Sequence, residues 1–226
     1  GGDATLIGVG AGATEVGQTH IYSGTSGWVG TVMDHQAVDV VAMMAGIVGA
    51  EPGKYNYFAE METAGKCFEW VKDHLVLDEV NVYLAKTNVA ESRETVYESL
   101  YDYMSDTVAK VAPGSGGVIF TPWLHGNRCP FEDAAAAGMF FNLRLETGKA
   151  QMLRAVLEGI CFHLRWMLEV QEKKTKTSEP IRFVGGGALS PVTCQMLADI
   201  TGRTIETVEN TKDVGAIGAA MLAAVG

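Results

Sequence analysis

The chain has 226 residues, enough for one large domain or two small ones with a buried core. Apolar residues make up 47% and charged residues 19%, the balance of a soluble globular protein and not of a disordered one. A formal net charge of −10 excludes the basic footprint of a nucleic-acid binder, but it leaves nucleotide binding open, because backbone N–H groups and a bound cation can hold phosphates inside an acidic protein.

Small apolar residues over 4–13 predict a tightly packed helix that begins just after Asp3. Residues 18–33 predict a β-hairpin, with Ile21 and Tyr22 leading into Gly24-Thr25-Ser26-Gly27 and Trp28, Val29, Thr31 and Val32 leading out. The middle reads as largely helical. Phe68, Val71 and Leu75 give a helical period over 61–77, and Leu100, Met104 and Val108 repeat it over 95–111. Pro113-Gly114-Ser115-Gly116-Gly117 then breaks the chain. A short strand over 118–124 follows, then a loop over 125–137 that contains Pro130. Across 149–174, Met152, Leu153, Val156, Leu157, Ile160 and Leu164 belong to one broad apolar stripe, a long amphipathic helix. Residues 181–184 read as a buried strand running into Gly185-Gly186-Gly187. A helix over 190–200 is capped by Ser190, has Pro191 at its first position and is stopped by Gly202. A strand over 204–208 precedes a helix over 214–225, made so nearly of Ala, Gly and small apolar residues that close packing on all sides is expected. The order is that of an α/β domain, a sheet covered by helices, with a helical insertion.

Cys67, Cys129, Cys161 and Cys194 form no CxxC pair and read as reduced thiols of a cytoplasmic protein. No apolar run reaches the roughly 18 residues of a membrane span, and the opening Gly1-Gly2-Asp3 lacks the charged and apolar regions of a signal peptide.

The sequence contains no GxxxxGK[ST], HExxH or GxSxG motif. Gly8-Val9-Gly10-Ala11-Gly12-Ala13 resembles a degenerate dinucleotide loop, but no β-like run precedes it, and helix packing through small residues is the competing reading. The tight turn over 24–27 exposes consecutive N–H groups and two hydroxyls, an anion-binding concavity if it is more than an ordinary hairpin turn. The triple glycine leaves no side chain in the way of a ligand, just before a helix N-terminus. It also suits a plain strand-to-helix turn. Asp3 sits where a carboxylate caps a helix, and a carboxylate beside a phosphoryl acceptor can instead take its proton.

Taken in order, these pieces resemble the FGGY carbohydrate kinases, xylulokinase-like members above all, across essentially the whole chain (residues 1–226). GGDATLIGVGAG is similar to the family's stretch around its catalytic aspartate, which implies that role for Asp3. SGTSG resembles the phosphate-binding hairpin, with Gly24, Thr25 and Ser26 in contact with nucleotide. AGKCFEW resembles the helix bordering the nucleotide, with Gly65 and Glu69 in the lining positions. TPWLHGNRCPFED is similar to a family loop, with Asn127 where Glu is usual. The second FGGY signature fits from Gly138 through Phe140, Leu143, Gln151, Met152, Ala155, Val156 and Leu157 to Glu158, except that Asn142 stands where the signature has Gly. GGGALSPVTCQMLADITG resembles the adenosine-side motif, with Gly186, Gly187 and Ser190 at the nucleotide, and DVGAIGAAMLAA resembles the closing helix.

The resemblance implies an actin-like ATPase (ribonuclease H-like) domain that binds ATP with Mg, takes no metal ligand from its own side chains, and forms the nucleotide-binding half of a cytoplasmic sugar kinase. The missing N-terminal domain would hold much of the sugar site, so the isolated fragment is expected to be inactive and, with an apolar face uncovered, open to pairing as a homodimer. Ala4 follows Asp3 where relatives often carry a polar, substrate-touching residue, and a ketopentose such as xylulose is expected from overall resemblance. No nucleic-acid or membrane partner is expected. A non-catalytic nucleotide-binding module of the actin-like superfamily is the alternative, and a dinucleotide-binding oxidoreductase a third reading.

Overall fold

A computed structural model describes residues 2–76 and 97–225. The hairpin expected around 24–27 forms. β1 (Thr19–Ser23) and β2 (Gly27–Met33) run antiparallel, with Ile21 opposite Val29 and Tyr22 opposite Trp28. β3 (Val38–Asp39), β4 (Met44–Val48) and β5 (Tyr55–Met61) extend the sheet beyond β2, in a span where the sequence gives no element. β6 (Ile119–Thr121) and β7 (Met139–Phe141) form a separate two-stranded ribbon. On the other side of β1, β8 (Ile181–Val184) and β9 (Ile205–Glu206) add parallel strands, giving the order β3-β4-β5-β2-β1-β8-β9.

Strand alternation divides the sheet into two buried faces. Ile21, Val29, Tyr57 and Phe183 point into the larger core. Their neighbours Tyr22, Trp28, Phe58 and Val184 point into the smaller one. The larger face is covered by α4 (Lys149–Gln171), α5 (Pro191–Thr201), α2 (Gly65–Val71) and α3 (Leu100–Ala109). The smaller is covered by α1 (Asp3–Gly10) and α6 (Val214–Val225). Glycines let the backbones of α1 and α6 approach closely. A Cβ on Gly10 would fall on the Val214 carbonyl, and one on Gly218 on the Leu6 carbonyl. The glycine-rich run from Gly8 is therefore helix packing, and the dinucleotide reading is set aside: the run lies in and just after α1, not between a strand and a helix.

Several expected boundaries move. The helix expected over 61–77 begins only at Gly65, because Tyr57, Ala59 and Met61 alternate into the core as strand residues; a wider π-type turn over Lys72–Val76 follows, and residue 77 lies outside the described residues. Residues 95 and 96 of the next expected helix also lie outside them. The strand expected over 118–124 shortens to Ile119–Thr121, the one over 204–208 to Ile205–Glu206, and the helix over 149–174 ends at Gln171. The expectation that the last helix is enclosed on all sides is overturned. Only Val214 and Gly218 of α6 are buried, and Met221 and Val225 face outward.

Two buried polar groups fix α4 against its surroundings. At its C-terminal end the Gln171 amide donates to the Val29 and Tyr57 carbonyls at 2.9 Å each and accepts from Thr31 Oγ1 at 2.9 Å. Midway along, Glu158 accepts from Arg154 Nε at 2.7 Å, the Gly114 N–H at 2.9 Å and Ser115 Oγ at 2.7 Å. The last residue of the FGGY-like signature thus ties the helix to the loop before β6.

Candidate functional site

Three separate parts of the chain meet at the turn between β1 and β2. The Gly24 carbonyl accepts the Gly65 N–H at 2.8 Å, and the Thr25 carbonyl accepts the Ala64 and Lys66 N–H groups at 3.0 and 3.2 Å. The start of α2 is thereby docked on the turn. Gly65 has to lack a side chain, because its Cβ would fall on the Gly24 carbonyl oxygen. Within the turn the Gly24 N–H donates to the Ser26 carbonyl at 3.0 Å. Among the described residues, the N–H groups of Thr25 and Ser26 donate to no protein acceptor. Two adjacent free donors, with their hydroxyls beside them, suit an anion.

The triple glycine reaches the same turn through the parallel pairing of β8 with β1, in which Val184 faces Tyr22. Gly185 adopts φ +94°, a conformation open to glycine, and its N–H donates to the Thr211 carbonyl and Oγ1 at 3.0 Å each. A Cβ on Gly187 would lie 2.9 Å from both Cβ and Oγ of Ser23, whereas one on Gly186 would meet nothing within 4 Å. The sequence reading has Gly187 glycine so that a ligand can approach. Instead Gly187 faces Ser23, and the open side belongs to Gly186.

Two of the expected residues are engaged elsewhere. The Ser190 hydroxyl caps α5, accepting the Thr193 N–H at 3.3 Å, and donates to Ser105 Oγ at 3.3 Å. The Glu69 carboxylate accepts from Lys66 Nζ at 2.8 Å in an exposed ion pair. Among the described residues, neither side chain hydrogen-bonds to the turn.

Asp3 is exposed at the first position of α1, with Oδ1 accepting the Ala4 N–H at 2.8 Å. Tyr22, which the sequence reading treats only as a hairpin flank, lies against the turn, its Oη taking the space that a Cβ on Gly24 would need. The Tyr22 ring stacks on Trp28 with centroids 4.0 Å apart, and Trp28 Nε1 donates to His20 Nε2 at 3.1 Å. Burial, with the Gly30 backbone opposing it, pulls the His20 pKa down to about 4, so the ring stays neutral and can accept. Burial first, and the Asp3 charge second, push the Tyr22 pKa upward, which keeps the phenol protonated at neutral pH.

The departures from the signature also have local explanations. Asn142 adopts φ +63°, the left-handed region that glycine would enter freely and asparagine tolerates, and its Nδ2 donates to the Gly117 carbonyl at 3.0 Å. The backbone there keeps a glycine-like shape. Asn127 is buried and donates to the Cys129 and Phe131 carbonyls at 3.2 and 2.6 Å, which braces its own loop. All four cysteines are free thiols.

Residues 20–226 match the model of the FGGY family of carbohydrate kinases, C-terminal domain. The chain belongs to this family. Xylulose kinase of Escherichia coli (strain K12) is 30% identical over 99% of the chain, and the match spans 42% of that protein. Gluconokinase of Bacillus subtilis (strain 168) is 27% identical over 88% of the chain and 37% of its own length. Among solved structures, ligand-bound xylulose kinase from Lactobacillus acidophilus superposes with a TM-score of 0.79 at 28% identity, covering 96% of this chain and 40% of that one. This FGGY domain therefore has the actin-like ATPase fold of the sugar kinases and spans about two fifths of the length of the relatives it matches. Among the described residues no helix is long and apolar enough to cross a membrane, and no three His, Cys, Asp or Glu side chains gather as a metal cage.

Proposed function

We propose that this domain is the nucleotide-binding half of an ATP-dependent sugar kinase, with a first domain completing the cleft and a ketopentose such as xylulose as acceptor. The observation that carries the reading is the convergence on one turn of the α2 start and the triple glycine, with the Thr25 and Ser26 N–H groups left for an anion. The likeness to xylulose kinases along nearly the whole chain supports the ketopentose.

ATP, when bound, supplies the phosphoryl group. In this reading the N–H and hydroxyl groups of Thr25 and Ser26 hold phosphoryl oxygens beside Gly24. Gly65 and Glu69 border the nucleotide from α2. Gly186 offers the open backbone over which the adenosine side passes, Gly187 keeps that turn pressed on Ser23, and Ser190 orients the helix whose N-terminus follows. Asp3 accepts the proton of the attacking sugar hydroxyl. Such catalysis is mostly positioning and charge stabilisation. Magnesium is commonly held by one or two carboxylates together with phosphate oxygens; in this reading it arrives with the nucleotide, and no step is routed through it.

The test is Asp3→Asn in the kinase that contains this domain. Turnover should fall by roughly 10² to 10⁴, the contribution of a general base, with ATP affinity little changed. Near-normal turnover would remove Asp3 from the mechanism.

A further inference from the structure

We propose that the Tyr22 hydroxyl is a further catalytic group of this site, donating a hydrogen bond to the phosphoryl group as it passes from nucleotide to sugar; this rests on the reading above, in which Asp3 and the turn over 24–27 serve one reaction. Place is the first argument. Tyr22 Oη lies against Gly24, the first residue of that turn, and occupies the space that a Cβ on Gly24 would take. The ring edge lies against Gly185, whose Cβ would come within 2.9 Å of Cε2. Two glycines from different strand ends thus make room for one phenol.

Availability is the second argument. Among the described residues the phenol oxygen makes no hydrogen bond to protein, and it is not sealed from solvent. A tyrosine placed only for packing would gain nothing from a hydroxyl that forces its neighbour to be glycine; phenylalanine would fill the same stack. Rigidity is the third. The ring is held face to face with Trp28 at an interplanar angle of 21°, and Trp28 is itself tied to His20. A donor fixed in this way needs little reorganisation when charge builds up on the transferring group. Burial first and the neighbouring Asp3 charge second push the Tyr22 pKa upward, so the phenol remains a proton donor at neutral pH.

Tyr22→Phe keeps the ring and removes only the oxygen. In the kinase that contains this domain, kcat should fall roughly ten- to a hundredfold, the loss expected for one hydrogen bond to a charged group. KM for ATP and for sugar should stay within about twofold, since the bond forms in the transition state. The thermal midpoint should be unchanged. Asp3→Asn is measured alongside. If Asp3→Asn loses turnover and Tyr22→Phe does not, the Tyr22 role is overturned and the proposed function stands. If neither loses turnover, both are overturned. A Tyr22→Phe loss that appears only as raised KM or a lowered midpoint would mean that the hydroxyl serves packing or ground-state binding, and would also overturn the inference.

Discussion

Gly186 and Gly187 are adjacent, yet valine at each should fail for a different reason. At Gly187 the added Cβ would lie 2.9 Å from Ser23 Cβ and Oγ and 3.2 Å from Phe183 Cζ. Those neighbours belong to β1 and β8, which pair within the sheet, and cannot withdraw without shifting strands. Overpacking of this kind costs about 1–3 kcal/mol. For a domain of this size that lowers the melting midpoint by roughly 2 to 12 °C, at about 2–4 °C per kcal/mol. At Gly186 the Cβ would meet nothing within 4 Å, so stability should stay within about 0.5 kcal/mol. If the nucleotide passes over that position, three new carbon atoms stand in its way, and a loss of tenfold or more in ATP affinity is expected, about 1.4 kcal/mol or greater. Calorimetric titration with ATP and a thermal scan on both variants separate the two effects. Wild-type ATP affinity in Gly186→Val would refute the proposed path of the nucleotide. An unchanged midpoint in Gly187→Val would refute the packing argument.

Acid should destabilise the domain through two buried histidines. Burial pulls His20 and His163 from 6.5 down to about 4, opposed by the Gly30 backbone and the Cys129 carbonyl respectively. The unfolded chain therefore takes up protons between those values that the folded chain does not. Above pH 6.5 neither contributes; below it each costs about 1.4 kcal/mol per pH unit, or about 2 kcal/mol by pH 5. Equal urea midpoints at pH 7 and pH 5 would contradict this. Arg154→Met should cost about 3 kcal/mol, because it leaves the buried Glu158 carboxylate with only Gly114 and Ser115. Denaturant unfolding should show Glu158→Gln to cost a similar amount, because it leaves the buried Arg154 guanidinium without its carboxylate.

The readable parts of this fold were those in which neighbouring residues carry their own instructions. The β1–β2 hairpin has β-formers on both sides of a Gly/Ser/Thr turn, and α5 is punctuated by Ser190, Pro191 and Gly202, which do cap, start and stop it. β5 was hidden because both of its faces are covered. Tyr57, Ala59 and Met61 enter one core while Asn56 and Phe58 are enclosed on the other side, so polarity does not alternate. Composition misled for α6, since a helix of small apolar residues looks the same whether one face or every face is covered, and here only the face against α1 is. Gln171 and Tyr22 were invisible for a different reason. The partners of Gln171 lie 142 and 114 residues away in the chain, and the seat of Tyr22 exists only once β8 lies beside β1. The motifs point to the turn over 24–27 and to the triple glycine because turn residues act locally. Which glycine faces a ligand and which faces a serine depends on what the fold sets opposite each, and Ser23 reaches Gly187 only through the register that pairs Tyr22 with Val184. A slip of β8 by one residue against β1 would turn Val184 toward the opposite core and take Gly187 away from Ser23. The chemistry proposed for this cleft therefore depends on strand pairing as much as on any motif.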